Sequence, residues 1–390
     1  MNRRDLINFL AAGIAIPLAP ISLSAASIRS GKRLILVELS GANDGLNTVI
    51  PINDERYAEI RPQIKINKSN AFNLGTGLAL NSAMKSLDNA LQAGDLAIMQ
   101  GLGYPGQNRS HFKSIALWET GGDGTKSGKN GWLTEDIEQM DGSDQLDAHG
   151  ISLDGGMGIF ASPSGVWLSM TSLGQFSTLK KKLAIPNQTL TENPALSLVL
   201  DRGQALNSSM QSISSKIARL RNKNLNVTVN AGNFGKQTSM AAYLIDAGIS
   251  APVLKLKIGS FDTHENQTWR HRNLLRDLSK GLSGLRHALI QSGNWENTLI
   301  MTYSEFGRRA VENESGGTDH GTAAPHFLMS GSLEGGIWGV HPDLGNLTDG
   351  DVQFTTDYRV VYDKILSDWF GLDQNKFKNY RSKITDGLFT

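Results

Sequence analysis

Four short segments carry residue types able to hold a cation or move a proton. The first is Ser40-Gly41-Ala42-Asn43-Asp44-Gly45-Leu46-Asn47. Asp44 offers a carboxylate, and glycines on both sides let backbone approach a metal or an anion closely. Asn-Asp-Gly is also ordinary turn chemistry, so an Asx turn is the competing reading. The second segment is Asn108-Arg109-Ser110-His111-Phe112. A helix beginning there would place the Ser110 hydroxyl under free N–H groups, where an anion is stabilised. Arg109 has the planar fork that clamps phosphate or sulfate. A plain N-cap serine next to a loop histidine accounts for the same residues without any function.

The third segment is Gly259-Ser260-Phe261-Asp262-Thr263-His264-Glu265. On extended backbone, residues two apart face the same way, so Asp262 and His264 can serve one ion. Gln267 and His271 follow as supports, and a helix-cap loop with a satisfied histidine is the alternative. The fourth is Tyr303-Ser304-Glu305-Phe306-Gly307-Arg308, followed by Gly316-Gly317-Thr318-Asp319-His320-Gly321. Asp319 and His320 are adjacent and flanked by glycine, so they reach one ion or two neighbouring ions. Glu305 and Arg308 bind substrate, hold the ligands, or form a structural ion pair. Asp recurs at three of the four loops and is paired with His at two of them, which points to metal-dependent hydrolysis.

Such loops need rigid elements behind them. Leu34-Ile35-Leu36-Val37-Glu38-Leu39 is nearly continuous in apolar residues, as expected of a central strand. Leu96–Gln100, Val253–Ile258, Thr298–Tyr303 and His326–Met329 read as further strands. Met84–Ala93, Trp269–Gln291 and Asp357–Phe370 read as helices. Leu274, Leu275, Leu278, Leu282, Leu285 and Leu289 give the second of these its helical spacing. Residues 205–245 are polar and mostly helical, with a break near Asn224–Asn230, and residues 102–165 read as long loops with short helices. Three of the four chemical segments directly follow a strand, which is where open α/β sheets bind ligands. Trp118, Trp132 and Trp167 either anchor loops or stack on a sugar, and anchoring is the preferred reading.

Composition narrows the options. The 390 residues include no cysteine, which removes disulfides, zinc-thiolate sites, iron–sulfur clusters and thiol nucleophiles. Lys and Arg number 38 against 37 Asp and Glu, a balance that argues against a dedicated nucleic-acid binder. Arg3-Arg4, an apolar run from Asn8 to Leu23 and Ser24-Ala25-Ala26 fit a twin-arginine signal peptide over residues 1–26. Residues 27–390 are then expected to form one large α/β domain with loop insertions, exported to the periplasm or beyond. No later stretch is apolar enough to span a membrane.

These pieces, in this order, resemble the DUF1501 family of exported proteins, whose fold is related to the alkaline phosphatase/sulfatase superfamily. The resemblance rests on the leader, Leu39–Asn47, Arg109–Phe112, Gly259–His264, Ser304–Arg308 and Gly317–Gly321. It implies an alkaline phosphatase-like α/β fold, with a central, mostly parallel sheet and helices on both faces. It makes Asp44 the first metal ligand and Ser110 the candidate nucleophile. Asp262 with His264 would serve one ion, and Asp319 with His320 would be divided between two. A further ligand is expected downstream at His326 or His341, with His341 preferred. Arg109 or Arg308 would stabilise charge on the ester oxygens, and Glu305 would assist them. The implied cofactors are divalent ions: zinc by the imidazoles, calcium, magnesium or manganese by the oxygens. The implied activity is hydrolysis of phosphate or sulfate esters, on a small anionic ester or a sulfated or phosphorylated glycan. A metal-stabilised envelope binding or assembly protein and a metal-free structural protein are the non-enzymatic alternatives. The pattern departs from the superfamily in its close Asp-x-His spacing. The formylglycine route of sulfatases is also missing, since there is no cysteine and Ser162-Pro163-Ser164-Gly165 lacks its arginine.

Overall fold

The computed structural model describes residues 31–122, 128–162, 164–182, 193–220, 228–372 and 376–389. The leader assigned to residues 1–26 lies outside them. Twelve strands are found among the described residues: β1 Arg33–Leu39, β2 Val49–Ile50, β3 Ala71–Asn73, β4 Ala79–Asn81, β5 Leu96–Gly103, β6 Gly150–Ser152, β7 Trp167–Ser169, β8 Val253–Ile258, β9 Thr298–Tyr303, β10 Ala324–Met329, β11 Gly336–Trp338 and β12 Thr356–Asp357. Nine build one sheet in the order β11-β5-β10-β9-β1-β8-β6-β7, with β12 also on β5. Only β10 runs against the others. The remaining three form a small antiparallel sheet, β2-β4-β3.

The apolar run of β1 is continuous because both of its faces are covered. Ile35, Val37 and Leu39 point to one core, and Leu34 and Leu36 to another. Helices Gly232–Asp246 and Gln267–Gln291 cover the first face, and Leu275, Leu278, Leu282, Leu285 and Leu289 supply the buried stripe of the longer one. Helix His111–Thr120 and the segment Arg359–Trp369 cover the second face. The result is a mixed α/β fold with a large, mainly parallel sheet between helical layers.

Some elements differ from their sequence-based bounds. β5 continues past Gln100 to Gly103, because β10 and β12 both pair with its last residues. The expected closing helix is α-helical only over Arg359–Lys364 and continues as a π-helix over Ile365–Trp369. Met84–Ala93 divides into a 3₁₀ turn, Ser82–Leu87, and a short α-helix, Asp88–Ala93. Trp118, Trp132 and Trp167 are all buried, with Trp118 stacked on Tyr358 and Trp132 on Tyr362. They anchor the core and present no surface to a sugar.

The topology fixes where the chemical loops lie. β1, β5, β8 and β9 run in one direction, so the loops that follow them emerge at one edge of the sheet. β10 starts at that same edge, because it runs antiparallel to β9. Asp319 and His320, a few residues before β10, are thereby carried back beside the ends of β1 and β8.

Helix His111–Thr120 carries near its end a carboxyl that the fold holds partly protonated at neutral pH. Burial raises Glu119 from 4.5 to about 7, although Lys255 opposes the shift. The folded chain keeps this proton in a range where the unfolded chain releases it. The group's contribution is therefore complete below the ordinary carboxylate range and is lost as pH rises through 7. Glu119→Gln is expected to match the wild type near pH 5 and to exceed its stability by about 2 kcal/mol near pH 8.5. Urea unfolding at the two pH values measures the difference, and equal gaps at both would refute it.

Candidate metal centre

Three imidazoles and one carboxylate meet at the sheet edge. His111 comes from the first turn of its helix, Asp262 and His264 from the loop after β8, and His320 from the loop before β10. Each ring turns Nδ1 to an acceptor. His111 faces Glu305 Oε1 at 2.6 Å, His264 faces Asp319 Oδ1 at 3.1 Å, and His320 faces the Arg109 carbonyl at 2.9 Å. An acceptor at Nδ1 places the ring proton there and leaves Nε2 as a lone pair.

Those lone pairs crowd together. His320 Nε2 lies 3.0 Å from His111 Nε2 and 2.9 Å from His264 Nε2. Asp262 Oδ1 is 3.6 Å from His111, 3.4 Å from His320 and 3.0 Å from His264. Lone pairs and a carboxylate oxygen at these separations repel. Arg308, with Nη1 3.4 Å from His264 Nε2 and Nη2 on Asp262 Oδ1, relieves part of this, and a cation among His111, His320 and Asp262 would relieve the rest. An ion with tetrahedral arms of ~2.05 Å holds its ligand atoms about 3.3 Å apart. The triangle of His111, His320 and Asp262 has edges of 3.0, 3.4 and 3.6 Å, so it fits one face of such a site. His264 lies beside that face, near His320 and Asp262 but outside the set whose ligand atoms all fall within 4.8 Å of one another.

The surrounding groups set the charge of the donors. Burial lowers His320, which favours its neutral ring. The hydrogen bond that His111 donates to the Glu305 carboxylate raises His111 despite its partial burial. Burial alone would raise Asp262, but the Arg308 guanidinium bonded to it holds its carboxyl below the usual range. Burial opposes Glu305 in the same way, and hydrogen bonds from His111 and the Gly41 N–H outweigh it. Gly41 adopts φ +109°, and a Cβ there would overlap the Asp262 backbone. Only glycine lets these two loops approach so closely.

The expected site residues separate into groups. Asp262, His264, Asp319 and His320 are brought together. Ser110 stands next to His111 at the helix start, and its hydroxyl has no hydrogen-bond partner among the described residues. Glu305 is buried behind His111. Arg308 is fully buried, and its donors go to the carbonyls of Gly41, Ala42 and Thr318 as well as to Asp262. It knits the loops together and does not face a substrate. Arg109 is partly exposed, with its guanidinium 3.3 Å from Asp351.

Asp44 and His341 lie apart from the donors. Asp44 is fully buried beneath them, paired with Arg61 at 2.7 Å and bonded by Gln267. His341 is held by Gln100 of β5, and burial lowers it to about 4. His326, the other downstream candidate, is buried within β10.

Sequence reasoning passed over two residues. His111 carries the same signal as Ser110, a reactive side chain ahead of a helix, but by sequence it reads equally as a loop histidine. Arg61 follows a short helix, Glu55–Ile60, and no local pattern distinguishes it from a surface arginine.

A family model described as "Protein of unknown function (DUF1501)" matches residues 97–379. The chain belongs to the DUF1501 family. The DUF1501 match contains all four donors and their supports Glu305, Arg308 and Asp319, while Asp44 and Arg61 precede it. No curated protein sequence matches the chain. Among solved structures, Ps i-CgsB is 10% identical, with 91% of this chain and 75% of that one covered and a TM-score of 0.39. A protein in the alkaline phosphatase superfamily from Vibrio parahaemolyticus is 9% identical, with coverages of 87% and 72% and a TM-score of 0.32. The C-terminal periplasmic domain of EcEptC from Escherichia coli, in complex with Zn, is 8% identical, with coverages of 79% and 77% and a TM-score of 0.34. Likeness at this level says nothing of activity. Among the described residues, no helix is long and apolar enough to cross a membrane.

Proposed function

We propose that this chain is a metal-dependent hydrolase of phosphate or sulfate esters, exported to the cell envelope by its leader. The observation that supports it best is the convergence of His111, His264 and His320 on Asp262, each ring with Nδ1 on an acceptor and Nε2 turned toward the others. His111, His320 and Asp262 would hold one divalent ion, with His264 as the adjoining donor. Zinc suits this donor set, and manganese is the next choice. Such an ion would polarise an ester oxygen and lower the pKa of an attacking hydroxyl.

The chain's own residues supply the rest. Ser110 presents an uncommitted hydroxyl at the start of a helix whose first N–H groups have no intrahelical partner. An ester anion is stabilised there by those N–H groups and by the positive end of the helix. Glu305 orients His111, and Arg308 orients Asp262. Arg109 orients His320 through its carbonyl and can swing its guanidinium from Asp351 to an anionic oxygen.

The test is a panel of aryl phosphate and aryl sulfate esters offered to zinc- and manganese-loaded protein, with Ser110→Ala alongside. Turnover that disappears on chelation is expected, reduced about 10²-fold or more by Ser110→Ala. Bound metal with no turnover on any ester would favour the binding or assembly protein instead.

A further inference from the structure

The resemblance allows two ions and gives Asp44 to one of them. We infer that the centre is built for a single divalent ion, and that the Arg61 guanidinium is the permanent cation at Asp44. The inference rests on the ester-hydrolase reading and specifies how many ions its site takes.

Asp44 and Arg61 are both fully buried. Arg61 Nη1 bonds Asp44 Oδ2 at 2.7 Å and Asn47 Oδ1 at 2.8 Å. Its Nε and Nη2 bond the carbonyls of Ala310 and Arg309, each at 2.8 Å. The guanidinium is therefore fixed on four sides. A divalent ion on Asp44 would press against a positive charge that has no route to water, and in a buried setting that repulsion is poorly screened. Gln267 donates to the same carboxylate oxygen.

The other oxygen, Asp44 Oδ1, has no partner, and neither does the neighbouring Asn43 Nδ2. One is an acceptor and the other a donor. A water satisfies both, whereas a cation leaves the N–H group unpaired. His271, bonded to Asn43 Oδ1, is lowered by burial to about 4 and adds no charge. The Asp44 bay is thus neutral as built.

The donor cluster is not. Asp262, Glu305 and Asp319 line it, with Arg308 bonded to Asp262 and Arg309 near Asp319, so it is the acidic part of the site. Among the described residues, His111, Asp262 and His320 are the one set of imidazole and carboxylate donors close enough together to share an ion. Donor spacing and the Arg61 cation therefore call for one divalent ion at the donors and none at Asp44.

Native mass spectrometry and elemental analysis of the full chain, dialysed against zinc and separately against manganese, provide the test. One ion per chain is expected, unchanged in Asp44→Asn. Arg61→Ala uncovers the Asp44 carboxylate and is expected to take up a second ion at millimolar metal, with a rise in Tm that the wild type lacks. If Arg61→Ala does not fold, the wild-type and Asp44→Asn counts decide by themselves. Two ions in the wild type, falling to one in Asp44→Asn, would overturn the single-ion centre but leave the ester-hydrolase reading intact. No bound ion in the wild type would overturn both.

Discussion

His320→Ala is expected to deprive the chain of its ion. His320 is the shared member of the cluster, with Nε2 within 3.0 Å of both other imidazole nitrogens. Removing it leaves Asp262 with His111 at 3.6 Å and His264 at 3.0 Å, and the face of the site is broken. Even partners one step removed from a metal typically cost ~10–100-fold in affinity, so the loss here should exceed about 100-fold. Competition with a chelator of known affinity measures it. The fold itself should survive, because the ring is only half-buried and its removal opens little cavity. Metal-free stability should stay within about 1 kcal/mol of wild type. Chelation should then lower the Tm of the wild type and leave that of His320→Ala in place, since an ion stabilises only a chain that binds it. Glu305→Gln makes the companion case. It keeps the shape behind His111 but weakens the acceptor that fixes its Nδ1 proton, so a smaller loss of ~10–100-fold is expected. A variant lacking His320 that retained the full ion content would remove the cluster from consideration as a metal centre.

The contrast between these donors and Asp44 shows how far the sequence reaches. β1, β8 and β9 were legible to the residue or nearly so, because burial on both faces writes a continuous apolar run. The same runs placed Asp262 and His264 at a strand end. His320 and Asp319 were legible from their glycine-flanked adjacency, although what brings them to the others is β10, whose reversed direction no local pattern reveals. His111 and Asp44 were harder for opposite reasons. His111 looks like an incidental loop residue until Glu305, 194 positions later, is found holding its Nδ1. Asp44 reads as a ligand from its loop alone, while in the fold Arg61 is buried against it. In both cases the deciding partner is distant in sequence and belongs to an element of unremarkable composition. Local periodicity locates the ends of strands, but which side chain neutralises which is settled only by packing.

Arg61→Ala is expected to be among the most destabilising single changes in the described chain. A paired buried charge is only modestly favourable, since desolvation offsets most of the attraction. Removing one partner is a different matter, because the remaining charge keeps the full desolvation cost. Breaking a buried pair typically costs about 3–5 kcal/mol, and two further carbonyls, Ala310 and Arg309, lose the Arg61 N–H groups that bond them. A loss of about 4 kcal/mol or more in urea unfolding, measured without added metal, is therefore expected. Arg61→Lys should fall between, at about 2 kcal/mol, since one ammonium keeps the charge but cannot span Asp44, Asn47 and both carbonyls as the guanidinium does. The double change Arg61→Met with Asp44→Leu removes both charges and should recover part of the loss, because an apolar pair of similar volume carries no desolvation cost. That recovery separates an ion-pair effect from a simple cavity, which the double change would not relieve in the same order. If Arg61→Ala unfolded within about 1 kcal/mol of wild type, Asp44 would have to be reaching water or another cation in solution. The sealed bay at the end of β1 would then not exist as described. The size of this single loss thus measures directly whether the charge at Asp44 is supplied from within the chain.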